Sequence, residues 1–102
     1  MSFGQIKLEN FVGLKNMPQK AQSAWDAVFT PERVGTQFKP LVYVGTQEVH
    51  GMLHWFIAER TQPYRFEIRN IVKMAILERT DAEEIKKDGK YAFAEETISK
   101  IF

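Results

Sequence analysis

The run Gln47-Glu48-Val49-His50-Gly51 constrains this chain more than any other feature. It separates two apolar segments of strand character, Leu41 to Val44 and Met52 to Ala58. Two such segments joined by a short stretch ending in glycine predict a β-hairpin, because a tight reversal needs a backbone conformation that glycine adopts freely. The second segment is dense in aromatic and apolar side chains, as a strand packed on a core requires.

The residues before this hairpin predict one helix. Asn16-Met17-Pro18-Gln19 is a start signal: Asn can cap free amides, Pro tolerates the first turn, and Gln three positions after Asn suits a capping box. Ala21, Ala24, Trp25, Val28 and Phe29 then follow the i, i+3, i+4, i+7, i+8 spacing of a single apolar stripe. Gln22, Ser23 and Asp26 fall on the other face, and Pro31 ends the helix. Before it, residues 3–14 read as a short extended segment broken by Gly4 and Gly13, with Phe3, Ile6, Leu8, Phe11, Val12 and Leu14 as apolar anchors.

After the hairpin, Thr61-Gln62-Pro63 is a turn signal. Tyr64 to Leu77 alternates as a strand. Tyr64, Phe66, Ile68, Val72, Met74 and Ile76 share one face; Arg65, Glu67, Arg69 and Lys73 share the other. Asn70 interrupts the apolar face and predicts a bulge. Asp81-Ala82-Glu83-Glu84 is a second capping box and Gly89 a stop, which predicts a short helix over 82–88. In the tail, Tyr91 and Phe93 alternate like a strand, while Ile98 and Ile101 are spaced like a helix; the start reads as a strand and the rest stays open. A helix bearing a Trp stripe needs an apolar sheet face to lie on, so the fold class is α+β, with an antiparallel sheet of about four to five strands around one helix.

Composition bounds the function. At 102 residues the chain is a single domain over 1–102. Forty-four per cent hydrophobic content, with eight Phe, three Tyr and two Trp, is enough for a packed core. Fourteen basic and 13 acidic side chains leave a formal charge of +1, which gives no electrostatic case for nucleic acid or an anionic membrane. Cysteine is absent, so disulfides, thiolate nucleophiles and Cys-based zinc sites are excluded. Lack of such staples, of a membrane-length apolar stretch and of a secretory signal favours a cytoplasmic setting.

The order helix, strand, Gln-x-Val-x-Gly turn, strand, turn, strand resembles the cystatin/monellin fold. Within it the chain looks most like the stefins, which are short, intracellular and disulfide-free. It is more similar still to small bacterial cystatin-like proteins, mostly of unassigned function. The matching residues are Met17-Pro18, Ala21-Gln22 and Trp25-Asp26 on the helix, then Gly35, Pro40, Val44-Gly45-Thr46-Gln47, Val49 and Gly51. The likeness covers roughly residues 16–60. Inhibitory cystatins form a wedge from an N-terminal segment with a Gly, a first hairpin and a second hairpin, and it enters the cleft of papain-like cysteine proteases. The resemblance implies that Gly4 belongs to the first piece, and that Gln47, Glu48, Val49, His50 and Gly51 form the second. The third piece has no recognisable counterpart; it would fall around Thr80 to Gly89. The family also implies a monomer or a dimer that exchanges hairpins.

Other readings of the same residues stay open. The hairpin can be an ordinary turn. Glu48, His50 and His54 could share a strand face and hold a transition metal, but strand residues four apart lie about 13 Å from each other. The two histidines otherwise read as surface residues flanking a turn. Trp25 and Trp55 read as core. No nucleophile, phosphate loop or paired-carboxylate motif accompanies the histidines, so neither a catalytic residue, a metal nor a cofactor is implied. The expectation is a non-enzymatic domain that binds a papain-like cysteine protease or another protein through the hairpin, with small-molecule binding or hairpin exchange as alternatives.

Overall fold

The computed structural model describes residues 6–8, 17–63 and 65–102. Gly4, Asn16, Tyr64 and most of the apolar anchors expected over 3–14 lie outside them. The chain forms β1 (Ile6–Leu8), α1 (Gln19–Val28), β2 (Gln37–Val49), β3 (Gly51–Pro63), β4 (Glu67–Glu78), α2 (Ala82–Asp88) and β5 (Tyr91–Lys100). The strands form one antiparallel sheet in the order β1-β2-β3-β4-β5. The class is therefore α+β, with a helix lying on a sheet. Among the described residues no helix is long and apolar enough to cross a membrane.

The stripe expected on α1 is the face that packs. Ala21, Ala24 and Trp25 are buried, and Val28 and Phe29 pack against the same cluster. Small alanines bring the helix close to the sheet, and Trp25 fills the space beside them. Its ring lies 4.4 Å from Phe29 and 4.9 Å from Phe56, centroid to centroid, within the range where aromatic pairs attract. Helix entry differs from the expectation. Pro18 occupies the cap position without a side-chain cap, and the Gln19 side-chain amide donates to Ser23 Oγ at 3.3 Å. Asn16, the other half of the expected capping box, lies outside the described residues.

The sheet side facing α1 is built from Tyr43, Phe56, Ala58, Val72, Met74 and Ile76, all buried. Two sequence expectations fail on β3. His54, read as a surface residue, is 2% exposed on this inner side, opposite Thr46 and Ile76. Trp55, read as core beside Trp25, faces the other way and is half-buried. There its indole N–H donates to Gln47 Oε1 at 3.0 Å, and the Lys73 ammonium sits 4.7 Å from the ring. Both faces of the segment 52–58 are apolar, so alternation alone could not tell inside from outside. A one-residue change of reading exchanges the faces.

β2 and β3 run further than expected, whereas β4 starts at Glu67 rather than Tyr64, so Phe66 lies outside it and, like Ile68 at its start, is exposed because α1 does not reach that end of the sheet. β3 continues through Pro63, which pairs with Glu67, so the turn falls after the Thr61-Gln62-Pro63 signal. β4 carries no bulge at Asn70: the pairing with β3 is continuous from Glu67 to Glu78, and Arg60 Nη2 donates to Asn70 Oδ1 at 3.2 Å. That side-chain bond satisfies the polar group on the inner face without breaking the ladder. Irregularities lie elsewhere, at Pro40/Val42 and Tyr43/Gly45 on β2 and between Lys73 and Ala75 on the β4–β5 pairing. The charged face of β4 is solvated. Arg69 forms an ion pair with Glu67 at 2.9 Å, and the hydrogen bond and charge of Glu67, helped by Glu59, push the already high Arg69 pKa further up.

Candidate functional site

The pentapeptide forms the β2–β3 reversal. Gln47, Glu48 and Val49 end β2, Gly51 opens β3, and Val49 pairs directly with Gly51. His50 alone makes the bend. Gly51 has φ +119°, a conformation that side-chain-bearing residues rarely adopt. Space forbids a side chain as well: a Cβ there would lie 2.9 Å from the Glu78 carbonyl oxygen and 3.2 Å from Leu77 Cδ1. The turn therefore sits tight against the end of β4.

The five residues divide by exposure. Glu48 and His50 are exposed, Gln47 and Val49 half-buried. The Gln47 carbonyl oxygen accepts from Trp55, so this side chain organises the outer face of the sheet. His50 Nε2 lies 2.9 Å from Glu84 Oε1, a pair whose side chains are 83% and 43% exposed. A contact that open to water contributes little to stability, but it locates α2 beside the turn.

Two further segments meet this end of the sheet. β1 pairs antiparallel with β2, Ile6 opposite Gln47 and Leu8 opposite Gly45. Its N-terminal end is thus the end near the turn. On the other side, β4 and β5 are joined over residues 79–90 by α2. The cap expected at Asp81 forms, its carboxylate accepting from the amides of Glu83 and Glu84 at 2.9 and 3.1 Å. Gly89 ends the helix with φ +88°. Arg79 fixes the loop by donating to the carbonyls of Asp88 and Gly89, both at 2.9 Å. The structure thus brings the Gln47–Gly51 turn together with the start of β1 and the α2 loop; Gly4 lies outside the described residues.

The histidines do not converge. His54 is directed into the core, where Nε2 lies 2.8 Å from Glu78 Oε1, while His50 at the apex pairs with Glu84. Among the described residues no group of three or more His, Cys, Asp or Glu is placed to hold a metal ion. The buried His54–Glu78 pair was missed by sequence reasoning. The one available signal was the even spacing of His54 from Phe56 and Ala58.

In comparisons with known proteins, no family model, no curated protein and no solved structure matches this chain.

Proposed function

We propose that the chain is a non-enzymatic, cystatin-like domain that binds another protein through the sheet end built on Gln47–Gly51, and that the partner class is the cleft of a papain-like cysteine protease. One observation carries this reading: the β2–β3 turn, the start of β1 and the β4–β5 connection lie side by side at one end of the sheet. A narrow edge of three chain segments is the shape that fills a long cleft. Five antiparallel strands in sequence-neighbour pairing, with α1 between β1 and β2 and the short α2 between β4 and β5, support the same reading.

The chemistry of the tip sets the strength. Each methylene buried in an apolar cleft contributes about 0.8 kcal/mol. Glu48 works against this, because its carboxylate must lose water or find a cationic partner. Its stem can lie along a cleft wall with the charge in solvent. Binding is therefore weak and reversible.

Hydrolysis of a peptide substrate by papain, measured against rising protein, tests the proposal. Competitive loss of activity is expected, with half-inhibition near about 10 µM. The double variant Glu48→Val/His50→Ala alters two exposed side chains and should inhibit about tenfold better or more. No inhibition by either protein would end the proposal.

A further inference from the structure

A second site lies at the far end of the sheet. Phe38 and Arg60 are register partners there, roughly 30 Å along the strands from the Val49–Gly51 reversal. A ten-residue helix is about 15 Å long, whereas strands of 12–13 residues extend about 40 Å. The helix cannot cover the whole inner face. Where it stops, the inward residues of β3 change from Phe56 and Ala58 to Arg60 and Gln62. The uncovered part forms a cleft of about 230 Å³, with Arg33, Arg60, Phe38, Phe93, Ile98 and Glu95 in its lining.

Two guanidinium groups share this cleft, and each keeps a buried donor without a partner. The Nε atoms of Arg33 and Arg60 are both buried without a hydrogen-bond partner. Among the described residues the ion pairs involve His50, His54 and Arg69, not these two arginines. Arg60 spends one donor on Asn70. Arg33 lies over the rings of Phe29 and Phe93, 5.1 and 5.6 Å from their centroids. Its backbone is fixed by Arg33 N–H to Thr30 O and by the Gln37 side chain donating to Arg33 O. Two cations lining one cleft, one of them held over aromatic rings and both partly withdrawn from water, favour an anion. A guanidinium fork matches a carboxylate in particular.

We infer that this cleft binds a small organic carboxylate, its charge held by Arg33 and Arg60 and its apolar body by Phe38, Phe93 and Ile98. The volume is below the roughly 300–1,000 Å³ of pockets for larger ligands, which limits the body to about one ring. Glu95, exposed on the rim, is the local negative charge that such a ligand must tolerate.

Two-dimensional amide NMR of the full chain, titrated with benzoate, benzamide and inorganic phosphate, tests this. Benzoate should give saturable shifts at residues 33–38, 60 and 93–98, and should bind about tenfold tighter than either neutral benzamide or phosphate. Arg60→Gln should weaken benzoate by about tenfold. Because Arg60 also serves Asn70, a second variant guards against a folding artefact: Glu95→Gln, on the exposed rim, should tighten benzoate severalfold. Benzamide binding as well as benzoate would overturn the role of charge. Phosphate binding as well as benzoate would overturn the role of the apolar walls. No saturable shift by about 50 mM benzoate would overturn the site itself.

Discussion

Gly51 carries two constraints at once, a φ of +119° and a Cβ position 2.9 Å from the Glu78 carbonyl oxygen. Gly51→Ala should therefore destabilise the fold by about 1–3 kcal/mol. For a domain of this size that is a fall in melting temperature of about 4–8 °C per kcal/mol, measured by thermal denaturation. A melting point equal to the wild type would contradict the strained turn. The result also bears on function: a charged substitution at Gly51 would disturb the fold before it disturbed any interface, so Glu48 and His50 are the residues that probe binding. The turn glycine was legible in the sequence, because a reversal this short demands one. His54 and Trp55 were not. Met52, His54, Phe56 and Ala58 make one face, and Leu53, Trp55 and Ile57 the other. The second set is the more apolar, yet the first is inside, because Phe56 meets Trp25 and Tyr43 while the His54 ring is bound by Glu78. Tertiary packing decided between two faces that local pattern left equal.

At the scale of elements, α2 was readable to its ends because its signals are local: Asp81 caps it, Gly89 stops it. β5 was readable only at its start, where Tyr91 and Phe93 alternate as a strand, and its irregularity explains why the rest was not. Lys73 pairs with Ser99, and two residues on, Ala75 pairs with Ala94. Residues 95–98 bulge out of the ladder, which breaks the period-two alternation and leaves Ile98 and Ile101 at a spacing that mimics a helix. Thr97 closes the bulge. Its hydroxyl accepts from the Ala75 amide at 2.8 Å and donates to the Ala94 carbonyl, replacing bonds the ladder has lost. Thr97→Val keeps the shape and removes both. It should cost about 1–3 kcal/mol in urea unfolding, since a partly buried amide is left unpaired. An unchanged midpoint would show that the hydroxyl is dispensable. The same bulge brings Glu95 and Ile98 to the far cleft, so an element whose sequence pattern fails also shapes a candidate ligand site.

For the whole molecule, the sheet is longer than its helix, and the two ends differ in character. One end presents the one-residue reversal at His50, flanked by β1 and the α2 loop. The other presents arginines and aromatic rings in a cleft. The sequence announced the first end through the Gln-x-Val-x-Gly pattern, a local motif. It did not announce the second, because Arg33, Arg60 and Phe93 become neighbours only when the connector, β3 and β5 are assembled. We propose the first end as the protein-binding end. The most direct test is an amide chemical-shift map of the labelled chain with papain whose active-site thiol remains free. Shifts confined to residues 6–8, 46–52 and 79–90 are the expected result. Shifts centred on residues 33–38, 60 and 93–98, or no shifts at all, would contradict the account.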